Sequence, residues 1–314
     1  MKYGDWLNTW LENYVKPSAK YKTYIRYAEI VSQHISPRLG SFELNELQPL
    51  VLQQFVTALS LNGNIKTNEG LSANSVNGII TVIQSSLKVA YSIGEFAEYT
   101  ADKIKRPKAR ERQVACFSVN EQRKIEHAIL NGEKPKMFGV VLCMYTGLRI
   151  GELLALTWQD IDFQKSTVSV TKTCYDGKDA AGKFTRITDA PKTETSRRVI
   201  PLPKQLIEHL KNIKRSGKSE YVISSCNGEK AVSVRAYQRS FDALQTRLGI
   251  ERKNFHALRH TFATRALESG MDVKSLSEIL GHKNPTVTLN RYVHSLMDHK
   301  REMMNRLGKQ LAAF

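Results

Sequence analysis

Apolar side chains in the first hundred residues recur at the period of an α-helix. Trp6, Leu7, Trp10, Leu11 and Val15 fall on a single stripe, the signature of a helix that buries one face. Further runs of the same period cover residues 21–34, 48–61 and 75–91, and Ser72 or Ser75 can cap the last of them. Polar punctuation such as Asn62-Gly63-Asn64 separates the runs. This part of the chain reads as helical throughout.

The pattern then mixes. Helical periodicity over 118–130, 136–145 and 150–156 gives way to alternation at 167–171 and again at 197–201, which predicts two strands. Between them, residues 176–183 form a turn-rich insertion. Helices resume at 203–214, 233–248, 256–269, 273–280 and 285–292, the last opened by an Asn284 cap and Pro285 at its first position. The expected fold is mainly α with a small antiparallel β-sheet. It divides into a helical domain (1–101), a basic linker (102–113), a mixed α/β domain (114–295) and a tail (296–314). In the tail, Leu296, Met297, Met303, Met304 and Leu307 recur at near-helical spacing, so one side is apolar.

Composition narrows the class. A 314-residue chain with 41% hydrophobic and 25% charged residues can bury two globular cores. Lys and Arg outnumber Asp and Glu by 47 to 30, a surplus that suits a polyanionic partner, of which nucleic acid is the commonest. No run of about 18 apolar residues is present to form a membrane span, and the acidic, aromatic N-terminus has none of the regions of a secretory signal. Cys116, Cys143, Cys174 and Cys226 are widely spaced with no CxxC pair, a reducing-compartment pattern; Cys143 lies in an apolar run and reads as core. The linker carries Lys103, Lys105, Arg106, Lys108, Arg110 and Arg112 around Pro107. It is either a solvated hinge or a strap across phosphates, and the charge density favours the strap.

Four local motifs carry candidate chemistry. In Thr146-Gly147-Leu148-Arg149-Ile150-Gly151-Glu152, a glycine closes one helix and an arginine opens the next. Arg149 and Glu152, three apart, form either a structural ion pair or a carboxylate-oriented guanidinium that grips two phosphate oxygens. In His256-Ala257-Leu258-Arg259-His260, the two histidines and the arginine share one helical face. A zinc-protease helix needs Glu at the second position, where Ala257 stands, so a bound phosphate suits the trio better than a metal. Leu280-Gly281-His282 ends a helix and presents a histidine from the turn, and Tyr292 follows within Asn290-Arg291-Tyr292.

Singly these motifs are weak. Together they resemble the tyrosine recombinase (phage integrase) family, with an arginine in TGLRxxEL, a lysine on a β-turn, HxLRH, LGH and a tyrosine about ten residues on. The matching residues, in order, are Arg149, Lys192, His256, Arg259, His282 and Tyr292, with Lys192 ahead of the Ile200-Pro201-Leu202 strand. The resemblance is close over residues 118–294 and rests on helix pattern alone over 1–100. It implies a helical core-binding domain, a catalytic domain, and cleavage and rejoining of DNA through a 3′-phosphotyrosyl link formed by Tyr292. Arg149, Arg259, His256 and His282 would act on the phosphate and Lys192 on the leaving 5′-oxygen, with Glu152 and His260 in support and no metal or cofactor. It implies specific double-stranded recombination sites gripped by a C-shaped clamp, a homotetramer, and a tail docked on its own domain or a neighbour's. Accessory DNA-bending or directionality proteins and a cytoplasmic, nucleoid-associated setting in a bacterium or phage follow the same pattern. The insertion after Cys174 tilts the reading toward the integrase of a mobile element.

The chain departs from the larger integrases in opening on the core-binding pattern almost at once, so it is either a short recombinase or a piece of one that carries an arm-binding N-terminal domain. Three rivals remain at this point. A type IB topoisomerase shares the chemistry, a helical DNA-binding regulator would not need Tyr292, and a metal-dependent nuclease would use the histidines.

Overall fold

The computed structural model describes residues 1–96, 98–109, 115–132, 135–178, 184–189, 197–216, 219–225, 231–282, 284, 286 and 297–312. It forms two compact units, Met1–Arg112 and Gln113–Phe314. The architecture is mainly α, with small antiparallel sheets.

The first unit is helical. Helix α1 (Tyr3–Trp10) runs through a π-helical turn (Leu11–Val15) into the short α2 (Lys16–Ser18). Helix α3 (Tyr21–Ile30) likewise passes through a π turn into α4 (Ser36–Leu39), and α5 (Pro49–Asn62) and α6 (Ala73–Ser92) follow. The predicted stripe is the buried one: Trp6, Leu7, Trp10, Leu11 and Val15 join Leu52, Leu59, Ile80 and Ile83 in one core. Of the two candidate caps for α6, Ser72 is the cap, its hydroxyl accepting the Ser75 N–H. The Tyr3 hydroxyl bonds the Ser86 hydroxyl at 2.8 Å and the Trp6 indole donates to the Ser86 carbonyl at 3.1 Å, so these buried aromatics leave no polar atom stranded.

The basic stretch is anchored to this unit at its start. Ala101–Lys103 is one 3-10 turn, and Ala101 and Ile104 are buried in the helical core. The Lys105 backbone N–H donates to Gln53 at 2.9 Å.

In the second unit, α7 (Val119–Leu130), α8 (Phe138–Thr146) and α9 (Ile150–Ala155) precede the strands. Helix α8 is apolar on every side and buried almost entirely, as befits a helix at the centre of a core. Strands β1 (Ile161–Asp162), β2 (Thr167–Val170) and β5 (Arg198–Pro201) form one antiparallel sheet in the order β1-β2-β5. Its register sets Val168 opposite Ile200 and Val170 opposite Arg198. Helices α10 (Lys204–Ser216), α11 (Val234–Arg247), α12 (His256–Glu268), α13 (Val273–Leu280) and α14 (Met297–Leu311) follow. Among the described residues no helix is long and apolar enough to cross a membrane.

One expectation is corrected. Part of the turn-rich insertion is strand: β3 (Thr173–Lys178) and β4 (Phe184–Asp189) make a separate antiparallel hairpin. Asp176 and Gly177 read as turn formers because strands rarely use them. Here each has a tertiary reason to be in one. The Asp176 carboxylate accepts the Val234 and Arg235 N–H groups at the start of α11, at 3.1 and 3.0 Å. At Gly177 a Cβ would lie 2.7 Å from Ile187 Cδ1.

Helix α7 begins in a reciprocal cap that ties into the core. The Ser118 hydroxyl accepts the Glu121 N–H at 3.2 Å, and the Glu121 carboxylate accepts the Ser118 N–H at 2.7 Å while pairing with Lys253 at 2.8 Å. Ser118→Ala is expected to lower stability by about 1 kcal/mol in urea unfolding, and Ser118→Asp to restore most of the loss. Equal stability of all three proteins would show that the cap contributes nothing.

Candidate active site

Two helix C-termini build the site. Helix α8 ends at Gly147 and α13 at Gly281, both in the left-handed region at φ +64°. At Gly147 a Cβ would come within 2.6 Å of Phe262 and 2.8 Å of Leu280, so the turn needs glycine for space as well as for conformation. A left-handed turn leaves the last carbonyls of a helix unpaired within it. Guanidinium groups take them up. Arg259 on α12 donates from Nη1 to the Gly147 carbonyl at 2.8 Å and from Nη2 to the Leu280 carbonyl at 2.6 Å. Only 2% of Arg259 is exposed, a burial made tolerable by the negative ends of two helices.

Arg149 stands at the N-cap of α9. Its backbone N–H donates to Glu152 Oε2 at 2.9 Å, its Nη1 donates to Oε1 at 2.7 Å, and its Nη2 reaches the Gly281 carbonyl at 3.5 Å. The ion pair read from the Arg149–Glu152 spacing is present, and it orients the guanidinium. With 37% of its side chain exposed, Arg149 is accessible, whereas Glu152 is buried.

Glu152 holds a second arginine. Arg198 of β5 donates from Nη2 to Oε2 at 2.8 Å and from Nη1 to Oε1 at 3.2 Å, and its Nε donates to the Ile279 carbonyl. The carbonyls of Ile279, Leu280 and Gly281 are thus met by Arg198, Arg259 and Arg149 in turn. Arg198 is the residue that motif reading passed over. Strand parity offered a signal, since Arg198 shares the inward face of β5 with buried Ile200 while Val199 between them points out.

His282 follows this turn directly, half-buried, with its backbone N–H donating to the Ser277 carbonyl at 3.0 Å. His256 is exposed at the start of α12, one turn before Arg259, and its ring meets His260 edge-to-face at 4.6 Å. Thr261 accepts the Phe117 N–H at 2.8 Å and ties α12 to the chain entering this unit. The structure therefore brings Arg149, Glu152, Arg259 and His282 around one helix end, with His256 and His260 on the helix that carries Arg259. Lys192 and Tyr292 lie outside the described residues, as do Arg110 and Arg112. Of the other linker cations, Lys103 pairs with Glu98 at 2.9 Å, and Arg106 is bound to the Asn77 carbonyl, Thr81 and Gln84. Lys105 and Lys108 are exposed.

The family model described as the phage integrase family matches residues 117–299, more than half of the chain. The chain belongs to the phage integrase family. A second model, for the N-terminal SAM-like domain of phage integrases, matches residues 2–60. A tyrosine recombinase XerC-like protein of Caldanaerobacter subterraneus subsp. tengcongensis is 28% identical, over 97% of this chain and 82% of its own. Among solved structures, the Tn1549 transposon integrase in complex with a circular intermediate DNA matches with a TM-score of 0.80 at 21% identity, covering 98% of this chain and 99% of that one. A lambda integrase tetramer bound to a Holliday junction matches with a TM-score of 0.67 at 21% identity, covering 91% and 79%. At such identities the likeness is one of fold.

In this cluster the ionisation of Glu152 depends on its surroundings. Burial by itself raises the carboxyl pKa, but the Arg198 fork, followed by the charge of Arg149, outweighs it and lowers the pKa from 4.5 to about 2. The folded-state value lies below that of the unfolded chain, so the ionised form stabilises fully above about pH 4.5 and loses that contribution as pH falls toward 2. The effect is on the order of 3 kcal/mol. Urea unfolding of the wild type and Glu152→Gln should show the gap between them narrowing as pH drops through this window. A gap that stays constant would mean that Glu152 is not ionised in the fold.

Proposed function

We propose that the chain is a site-specific DNA recombinase that integrates and excises a mobile element, with Tyr292 as nucleophile and Arg149, Lys192, His256, Arg259 and His282 as its catalytic partners. A phosphodiester resists attack because its anionic oxygens repel nucleophiles and its leaving alkoxide is poor. Arg149 and Arg259 provide permanent positive charge in planar, bidentate form for the non-bridging oxygens. His256 and His282 add hydrogen bonds to the same oxygens, and one of them accepts the phenol proton. The Tyr292 oxygen bonds to phosphorus, the bond to the 5′-oxygen breaks, and Lys192 protonates that oxygen. The covalent 3′-phosphotyrosyl link conserves the phosphodiester, so a 5′-hydroxyl from a second duplex reverses the step without ATP. Glu152 and His260 support the site from behind, and the linker cations lie along the DNA backbone.

The observation that carries this reading is the gathering of Arg149 and Arg259 at the C-terminal turn of α13, immediately before His282. Guanidinium groups held by carbonyl oxygens are positioned before substrate arrives, which is what charge stabilisation of a transition state needs. Assembly as a tetramer on two duplexes, action on a bacterial or phage chromosome, and recruitment of accessory DNA-bending proteins belong to the same proposal. They are supported by the tetramer that lambda integrase forms on a Holliday junction and by the bacterial and phage sources of the relatives.

A nicked suicide duplex carrying the element's own junction sequence tests it. The expected product is a denaturation-resistant protein–DNA adduct that forms in the presence of a chelator and is absent from Tyr292→Phe. Arg259→Lys should slow its formation by about 10²- to 10³-fold, the range for loss of one charge-stabilising donor. An adduct that survives Tyr292→Phe, or that a chelator abolishes, would overturn the mechanism.

A further inference from the structure

We propose that Arg198 is a positioning residue for this reaction, acting through Glu152 to leave the charge of Arg149 available to the phosphate. The inference rests on the recombinase reading and deepens it. The Arg198 guanidinium is committed on all three nitrogens, Nη1 and Nη2 to Glu152 and Nε to the Ile279 carbonyl, so it acts through Glu152 rather than on the phosphate.

What Arg198 does follows from its partners. Among the described residues, Glu152 accepts two hydrogen bonds from Arg149 and two from Arg198. A lone Arg149–Glu152 pair would carry no net charge, and the carboxylate would cancel much of the field that Arg149 offers an anion. With Arg198 the cluster holds two cations and one anion, so a net positive charge remains, and the outermost of the three groups is the exposed Arg149. The fork also fixes geometry. Both carboxylate oxygens are held by Arg198, so Glu152 cannot rotate away from the Arg149 guanidinium. The third donor of Arg198, Nε, takes the Ile279 carbonyl, and the Arg198 side chain packs under Gly281, where a Cβ would sit 3.1 Å from Nη1. One residue on β5 therefore steadies both the support of Arg149 and the turn that presents His282. Its sequence position, 46 residues from Glu152, is why local spacing does not reveal the pairing.

The test is a double-mutant cycle on the full chain, using Arg198→Met, Glu152→Gln and the combination. Adduct formation is followed in single turnover at saturating DNA, alongside the dissociation constant for the same duplex. With Glu152 intact, Arg198→Met should slow adduct formation by about 10- to 100-fold, the usual range for a group that orients a ligand from behind. DNA affinity should change by less than about twofold, since all three Arg198 nitrogens are engaged by Glu152 and the Ile279 carbonyl. In the Glu152→Gln background, Arg198→Met should slow the reaction by less than about twofold, because the residue through which it acts is already lost. A merely structural role predicts instead an equal slowing in both backgrounds, or a loss of DNA binding, and either result overturns the proposal, as does a wild-type rate for Arg198→Met. If Arg198→Met does not fold, Arg198→Lys, which keeps the charge without the fork, is measured in the same two backgrounds. Slowing confined to intact Glu152 supports the proposal; equal slowing, or none, overturns it. A wild type that forms no adduct, or an adduct that survives Tyr292→Phe, defeats the recombinase reading itself and the proposal with it.

Discussion

The second unit depends on the meeting of helix carbonyls with guanidinium groups at the ends of α8 and α13. Neither partner is stable there alone. Carbonyls at a buried helix end cost free energy if unpaired, and a buried cation costs more. Together they satisfy one another: Arg259 links the end of α8 to the end of α13, and Arg198 and Arg149 bind the carbonyls on either side of Leu280. The two left-handed glycines make this possible, because they turn the chain away and leave the carbonyl oxygens pointing at the arginines.

That dependence bears on the proposed chemistry as well as on the fold. A guanidinium in water is free to rotate, and ordering it on a substrate carries an entropic penalty. Here the ordering happens on folding, and the donors are aimed before any anion approaches. The same device sets the electrostatics. Glu152 stays ionised in a buried position only because two arginines face it, and its negative charge in turn lets those arginines lie side by side. Arg and Lys are not exchangeable in such a place, since only the planar fork reaches a carboxylate and a carbonyl at once.

How much of this was legible in the sequence depended on the distance over which a signal acted. Arg149 at the N-cap of α9 lies three residues before Glu152, and His256 lies three before Arg259 on α12, so local spacing brought each pair together. Gly281 announced its turn because a left-handed helix end has few alternatives to glycine. The stripe from Trp6 to Val15 was readable because helix period and burial agree there. Arg198 was only partly readable: strand parity with Ile200 could place it facing inward, but its partners come from α9 and α13 and no local spacing names them. The β3–β4 hairpin was hidden for the opposite reason: Asp176 and Gly177 carry a strong local turn signal, and tertiary contacts with α11 and Ile187 override it. The linker lies between these cases. Its charge was plain, but Arg106 is committed to α6 through Asn77, Thr81 and Gln84, which composition cannot show.

Placing three arginines on successive carbonyls of one helix has a further consequence for how the site is joined to the chain. Helix α13 is short, Val273–Leu280, and its last turn is held by side chains from α9, α12 and β5. Whatever follows Gly281 therefore starts from a point that three separate elements define. His282 is the first residue beyond it, and the Asn284 side chain then accepts the Thr286 N–H at 2.9 Å, the kind of contact that opens a new helix. Tyr292 lies ten residues beyond His282 in the sequence. In the proposed reaction the nucleophile is thus tethered by a short length of chain to a point that three elements fix.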